Sequence, residues 1–319
     1  MSVIDEILSR PEFKQSPPVV IDIGASGGLN PAWRPIRQYS ICIAFDGDHQ
    51  GIEDVPRAST SFYKQLHVFN LLVTPEPPGS AEFYITKSGT CSSMLPPNRE
   101  ELSDWAFANR FEVVEKRSVK TTNLPTILRE LGLVRVDWFK TDSQGTDLRL
   151  LASLGDSILD RVLVAELEPG IFDAYCGEDK LWQVMSFMDQ RNFWMSDIRI
   201  KGSSHIRKDL LSGFTEFEKQ TVGLFLKQSP GWGEVSYINT FRDPGFTSRD
   251  FLLGWVFASI MKQHGFALHI AATGLERFSD LVFEDLRTRS LSAIKWSYLK
   301  PAAHLDLMKK LGNKLRRRS

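Results

Sequence analysis

An aspartate stands beside a glycine-rich turn near the start of the chain. In VVIDIGASGG, a short apolar run typical of a strand buried on both faces contains Asp22 and leads into Gly24, Ser26 and Gly28. Glycines permit positive φ and let a ligand approach the backbone closely. The turn lacks the GK[ST] sequence of a P-loop and the GxGxxG order of a dinucleotide site.

The charge of Asp22 indicates which type of nucleotide the turn binds. A fixed carboxylate at this position would repel a pyrophosphate, which prefers a free helix N-terminus. The same carboxylate suits S-adenosylmethionine, because the amino-acid end of that molecule carries an ammonium group and its sulfur is positively charged. We therefore expect the turn to bind S-adenosylmethionine.

A second acidic residue, Asp46, ends the next apolar run, ICIAFD. An acid roughly 20 residues after a glycine turn is placed to accept both hydroxyls of a ribose. A nicotinamide cofactor would use the same acid. Asp46 thus indicates a cofactor that contains a ribose, but it does not distinguish S-adenosylmethionine from a nicotinamide cofactor.

Two further acids, Asp142 and Glu168, end the apolar runs VDWFKTD and RVLVAELE. Ligands bind at the carboxyl ends of strands in open α/β sheets, so we expect both side chains near a ligand. They suit a general base that deprotonates a hydroxyl, or a Mg²⁺ ion that lowers the pKa of that hydroxyl. Strand alternation places Lys140 on the face of Asp142 and predicts an ion pair between them. Alternatively, Asp142 caps the helix expected near Gln144.

Alternating strands and helices position these residues. The pattern predicts an α/β fold with a mostly parallel sheet and helices on both faces. A segment from about Phe69 to Phe111 breaks the alternation, and we expect this insertion to lie near the site. Residues 223–241 predict two strands joined by a Pro-Gly turn. The apolar run from Phe251 to Met261 predicts a buried helix, because it is shorter than the ~20 residues that span a bilayer.

Composition limits the partners and the location. The 39 basic residues (Lys and Arg) equal the 39 acidic ones, so we expect no nucleic-acid partner. Three scattered cysteines and an N-terminus without a signal-peptide pattern favour the cytoplasm over export. We expect a cofactor-binding domain over residues 1–245 and a helical extension with a basic tail over residues 246–319. A homo-oligomer is compatible with the sequence, and His205, in a polar loop, is a candidate on the substrate side.

Several longer segments resemble one known family. VIDIGASGG, FDGDHQ, FYITKSGTCSSMLPPN, VDWFKTDSQGTDLRLL and VLVAELEPGIFDAYCGEDKLWQVMSFMDQRNFWMSDI follow one another in this order. Over residues 19–200 they resemble the FkbM family of S-adenosylmethionine-dependent methyltransferases. The most specific parts are the Cys-Ser-Ser sequence that begins at Cys91 and the block KTDSQGTDL.

The resemblance implies a class I methyltransferase, Rossmann-like fold, with a mostly parallel seven-stranded sheet and an antiparallel last hairpin strand. It also implies O-methylation of a hydroxyl on a small metabolite or saccharide. The residues that match the motifs of the family are Asp22, Gly24, Ser26, Gly28, Asp46, Ser92, Ser93, Lys140, Asp142, Gln144 and Gly145. Of these, Gln144 and the two serines are expected beside the cofactor. The family usually has Glu at the position of Asp147.

Two other functions compete with methyl transfer. A nicotinamide-dependent oxidoreductase would use a similar sheet, although Asp22 and the missing GxGxxG count against it. A non-catalytic protein could keep the cofactor pocket as a binding or scaffold module. The acids Asp22, Asp46 and Asp142 favour an enzyme, with Lys140, Asp142 and Glu168 as its candidate catalytic residues.

Overall fold

The computed structural model describes residues 2–25, 28–46 and 62–299. The chain divides into two units, one of residues 13–242 and one that combines residues 2–12 with residues 243–299. This division differs from the expected one at its start, because the apolar side chains of Ile7 and Leu8 are buried in the unit of the C-terminal residues. Ser26 and the basic tail lie outside the described residues.

The strands of the described residues form two sheets. In chain order they are β1 (Val19–Ile23), β2 (Ile41–Phe45), β3 (Gln65–Phe69), β4 (Leu72–Val73), β5 (Gly79–Thr86), β6 (Val113–Thr122), β7 (Trp138–Thr141), β8 (Val164–Leu167), β9 (Phe193–Ser203) and β10 (Ser229–Asn239).

The larger sheet has the order β3-β2-β1-β7-β8-β10-β9 among the described residues. All pairings are parallel except those of β10, which runs antiparallel to both β8 and β9. This arrangement confirms the Rossmann-like fold with a mostly parallel seven-stranded sheet. The chain adds β2 and β3 on one side of β1 and β7 on the other, so the strand order reverses beside β1. Ligands of such sheets bind in the crevice at this reversal.

The helices of the described residues are mostly short. They are α1 (Val3–Leu8), α2 (Pro11–Gln15), α3 (Arg99–Leu102), α4 (Leu124–Glu130), α5 (Asp147–Ala152), α6 (Asp156–Leu159), α7 (Leu181–Asp189), α8 (Glu216–Phe225), α9 (Ser248–Ile260), α10 (His264–Phe278) and α11 (Val282–Leu299).

The main core lies between one face of the large sheet and the helices α4, α5 and α7. Ile21 of β1 and Phe139 of β7 are fully buried there against Leu150 and Val184. The opposite face of the sheet is also covered, because Trp33 packs edge-on against Trp138 with ring centroids 6.1 Å apart. Burial on both faces explains why these strands are continuous apolar runs.

The smaller sheet, β4-β6-β5, belongs to the segment that interrupts the strand alternation. It extends to Thr122, beyond the expected end of the insertion at Phe111. One expectation for the last strands was wrong. Residues 216–225 form α8, and residues 229–239 form the single strand β10 rather than a hairpin, with Pro230 at a shift in the β9–β10 register.

The second unit is helical. The helix α9 is buried along most of its length, α10 packs beside α9, and α11 packs beside α10. Its fully buried side chains include Phe251 and Phe257. Among the described residues, no helix combines the length and the apolarity that a membrane crossing requires.

Candidate functional site

The glycine turn after β1 lies against the chain that leaves β7. Gly24 has a φ of +84°, and a Cβ at this position would lie 2.3 Å from the backbone oxygen of Asp142. Its missing side chain therefore makes room for the neighbouring strand end rather than for a ligand. Gly28, with a φ of +96°, has no heavy atom within 4 Å of its Cβ position, so it borders open space.

Asp22 holds the ends of β1 and β7 together. Its buried carboxylate accepts hydrogen bonds from Lys140 Nζ at 2.8 Å and from the backbone N–H of Asn30 at 2.9 Å. The predicted pair of Lys140 with Asp142 was therefore wrong, because the parallel register sets Lys140 beside Asp22. Burial lowers the pKa of Lys140, but the Asp22 carboxylate, together with the charges of Asp142 and Glu168, outweighs it, and the pKa is raised.

A neighbouring network involves a third carboxylate. Glu166 accepts hydrogen bonds from Asn30 Nδ2 at 2.8 Å and from Trp138 Nε1 at 3.0 Å. With both oxygens of Asp22 also bonded within the protein, this network supports the turn after β1. Asp22 is thus buried behind the turn and is not an exposed counter-ion for a ligand.

Asp142 and Glu168 follow β7 and β8 and lie near each other. Burial raises the pKa of Asp142. Burial, together with the charges of Asp142, Asp147 and Glu234, raises the pKa of Glu168 to about 8. Asp142 accepts a hydrogen bond from Gln144 Nε2, whereas α5 begins only at Asp147. Asp142 is therefore not the helix cap that was considered as the alternative.

Asp147 positions Glu168 and was missed as a site residue by the sequence analysis. Its carboxylate is fully buried and accepts hydrogen bonds from the backbone N–H groups of Glu168 at 2.6 Å and Ser143 at 2.9 Å, and also from the Ser143 hydroxyl. Burial raises its pKa to about 6 in spite of these bonds. The sequence signal was an acid in the first turn of a helix, where the backbone N–H groups are free.

Both carboxylates, Asp142 and Glu168, line a cavity of about 220 Å³ within the unit of residues 13–242. The cavity walls come from the insertion, from the loop after β8 and from the facing parts of β9 and β10. Five aromatic side chains contribute to these walls: Phe107, Phe111, Phe172, Tyr175 and Trp232. Arg110 and His205 line the same space. The sequence analysis identified neither these aromatic residues nor Arg110.

The insertion is fastened to the loop that follows β7. Ser93 Oγ donates to the backbone oxygen of Gln144 at 2.7 Å. The Tyr175 hydroxyl lies 2.9 Å from the backbone oxygen of Cys91 and 3.1 Å from Gln144 Oε1. Ser92 Oγ accepts from the backbone N–H of Thr86. The two serines are buried and tie loops together, while Gln144 itself reaches the cavity wall.

His205 stands among aromatic rings at the cavity wall. Its ring centroid lies 4.7 Å from that of Trp105 and 5.2 Å from those of Phe107 and Phe172, all in edge-to-face geometry. Its buried Nδ1 has no hydrogen-bond partner in the part of the chain that the structure describes. The histidine therefore presents a polar atom in mainly apolar surroundings.

Comparison with known proteins identifies the domain. A family model of the methyltransferase FkbM domain matches residues 37–193, about half of the chain. The protein carries an FkbM methyltransferase domain. No curated protein and no solved structure gave a significant match.

The matched part of the FkbM domain contains much of the site. It includes Asp46, the serines of the insertion, the block from Lys140 to Gly145, and Glu168. The glycine turn after β1 lies before it, and Trp232 lies after it. The cavity thus combines residues of the matched FkbM domain with Ser203 and His205, at and just after the end of β9, and with Gly231 and Trp232 of β10.

The residues at the strand ends fit an adenosyl cofactor such as the methyl donor of the methyltransferase class. Asp46 follows β2 and is only 5% exposed. An acid at this place can accept two ribose hydroxyls. The open space beside Gly28 lies at the turn after β1, the strand next to β2 in the sheet.

The residues fit a metal ion poorly. In the ranges that the structure describes, no group of three or more His, Cys, Asp or Glu side chains is arranged to hold a cation. Asp142 is engaged with Gln144, and Glu168 has a raised pKa that favours its protonated form.

Proposed function

We propose that this FkbM-domain protein is an S-adenosylmethionine-dependent O-methyltransferase that acts on a hydroxyl of a small metabolite or saccharide. The observation that carries this proposal is the cavity lined by both Asp142 and Glu168, near the place beside β1 where the strand order of the large sheet reverses. When bound, S-adenosylmethionine supplies an activated methyl group. Gly28 and Asp46 would hold it at the ends of β1 and β2.

Glu168 is the proposed general base. A base works best when its pKa lies near the working pH, and the pKa of Glu168 is about 8. The carboxylate takes the proton of the acceptor hydroxyl, and the acceptor oxygen would receive the methyl group that S-adenosylmethionine gives up as its methyl–sulfur bond breaks to leave S-adenosylhomocysteine. Asp147 keeps the Glu168 backbone in place through its 2.6 Å hydrogen bond. Asp142 raises the basicity of Glu168 by its charge.

The walls of the cavity support a small acceptor with flat apolar faces. Five aromatic side chains line the cavity of about 220 Å³. Aromatic rings stack well on planar rings and cover the C–H faces of sugars. Most of the work in methyl transfer is alignment of the acceptor oxygen with the methyl carbon and sulfur, and rigid walls provide such alignment.

The first experiment is a calorimetric titration of the full chain with S-adenosylhomocysteine, NAD and NADP. We expect micromolar binding of S-adenosylhomocysteine alone. Methyl transfer from labelled S-adenosylmethionine is then measured on a panel of phenols and monosaccharides. Binding of a nicotinamide cofactor in place of S-adenosylhomocysteine would overturn the proposal and support the oxidoreductase.

A further inference from the structure

The strand β9 has an unusually exposed central part. Among the described residues it is the last strand of the large sheet, with β10 on one side only. Five consecutive residues, 197–201, are exposed. A strand at the end of a sheet offers a row of backbone N–H and C=O groups to another strand.

One face of this strand is apolar. Ile198 and Ile200 are 41% and 48% exposed, and the register sets them beside Val235 and Gly233 of β10. Val235 belongs to the core under α7, so both isoleucines lie on the α7 side of the sheet. We call these two residues the apolar patch.

The other face is charged in a pattern that complements itself. Asp197, Arg199 and Lys201 alternate with the isoleucines. Within the chain, Arg199 lies 3.4 Å from Asp197, and Lys201 lies 3.2 Å from Glu234 of β10. The four side chains carry two positive and two negative charges, so this face is neutral as a whole.

We propose that β9 pairs with β9 of a second copy of this chain, antiparallel and with the two-fold axis at Arg199. In this register Asp197 faces Lys201 of the second copy, and Ile198 faces Ile200 of the second copy. Directly opposite residues of an antiparallel pair lie about 4.5–5.5 Å apart, close enough for both contacts. The two Arg199 side chains meet at the axis, where the Asp197 and Glu234 carboxylates of both copies balance their charge.

The pairing joins the two large sheets into one continuous sheet. It also brings the two apolar patches together on the same side. An isologous contact of this kind closes on itself and produces a dimer rather than a filament. The proposal concerns assembly and does not depend on the proposed methyl transfer.

The charge pattern permits a test by mixing. Asp197→Lys places lysines opposite lysines, and Lys201→Asp places aspartates opposite aspartates. We expect sedimentation velocity to show a dimer for the unchanged protein and an at least about tenfold weaker dimer for each variant, because like charges face each other at two places. An equimolar mixture of the two variants restores both ion pairs, so the dimer returns. Val134→Lys, at a position 84% exposed elsewhere, is the control and stays dimeric.

A cross-link tests the register. In a Cys176→Ser background, which removes the exposed cysteine, Arg199→Cys puts two thiols at the axis within disulfide distance. Oxidation with diamide should link the two chains. Asp197→Cys is the matched control, because its two thiols would lie about 13 Å apart and stay unlinked.

Three results would overturn the proposal. These are a monomer at every concentration up to 100 times that of a cellular enzyme, a dimer that both charge variants leave intact, and failure of the mixture to reassociate. Circular dichroism of each variant shows whether it is folded. If a charge variant unfolds, the cross-link of Arg199→Cys decides alone.

Discussion

At the scale of single residues, the site depends on how Glu168 is surrounded. Burial is the largest cause of its raised pKa, and the charges of Asp142, Asp147 and Glu234 add to it. The same side chain lines the cavity, where an acceptor hydroxyl would lie. Among the carboxylates of the site, Glu168 therefore has a pKa of about 8, close to the neutral pH at which a proton acceptor works best.

Glu168→Gln removes the base but keeps the shape of the side chain. We expect the rate of methyl transfer to fall about 10²- to 10⁴-fold, while S-adenosylhomocysteine binds as before. The pKa of Glu168 is 4.5 in the unfolded chain and about 8 in the native protein. Between these pH values the native protein keeps a proton that the unfolded chain has lost, so the free energy of unfolding falls as the pH rises from 4.5 to about 8. The variant lacks that contribution. Thermal unfolding at pH 6 and pH 9 measures the difference, and an unchanged rate would exclude Glu168 as the base.

The pH profile tests the coupling of the two carboxylates. Transfer requires deprotonated Glu168, so the rate should rise with pH through about 8. Asp142→Asn removes a negative charge that raises the pKa of Glu168, and the rising limb should move to lower pH. Asp156→Asn, in an exposed ion pair with Arg191, is the control and leaves the profile in place. A profile that Asp142→Asn does not move would contradict the assignment.

Lys140 is expected to matter for folding through Asp22. Lys140→Met leaves the buried Asp22 carboxylate without its cation, and this costs about 3–5 kcal/mol of unfolding free energy. Lys116→Met, which breaks the exposed pair with Glu82, should leave stability unchanged. Urea titrations of the two variants make the comparison. Equal stability of both would show that the buried pair has no special role.

Sequence alone predicted the acids at the strand ends but not their partners. Asp142 and Glu168 were identified because an acid after a buried strand stands out. The partner of Lys140 depends on the register between β1 and β7, two strands more than 100 residues apart in the chain, which alternation within one strand leaves undetermined. The aromatic walls come from loops that have no periodicity, so Phe107 and Trp232 gave no sequence signal.

At the scale of elements, the close approach of β1 and β7 sets the geometry of the crevice. Gly24→Ala would place its Cβ against the backbone of Asp142, with a φ that other residues rarely adopt. We expect a loss of about 3 kcal/mol or more in unfolding free energy. Gly132→Ala is the control for the backbone angle alone, since its φ is +66° and nothing lies near its Cβ position. A loss of about 1 kcal/mol is expected there, and equal losses would contradict the steric argument.

The elements also show where local signals fail. Pro-Gly at positions 230 and 231 is typical of a turn, yet both residues lie in β10. The register between β9 and β10 shifts at this point, and an irregular position in a strand tolerates a proline because its missing N–H breaks no regular ladder. By contrast, the apolar runs of β1, β2, β7 and β8 predicted their strands well, because burial on both faces leaves a strong pattern.

At the scale of the whole molecule, the site residues that the structure describes fall within one unit. The cavity, the turn after β1 and Asp46 all belong to residues 13–242. A fragment of residues 11–242 keeps α2 whole, and we expect it to fold and to bind S-adenosylhomocysteine with the affinity of the full chain. Calorimetry on the fragment and the full chain measures this. A folded fragment without binding would show that the helical unit contributes to the site.

The hydrogen bonds that fasten the insertion have a consequence for the evolution of acceptor preference. Ser93 and Tyr175 bind the same residue, Gln144, whose side chain also binds Asp142. A recombination that exchanged the insertion alone would replace Ser93 but leave its partner Gln144, and the Tyr175 that binds Gln144, behind. The preference for a methyl acceptor and the residues that carry out the reaction would then be inherited together. Among chimaeras, those that transplant the insertion, the segment after β7 and the loop after β8 as one set would stay active.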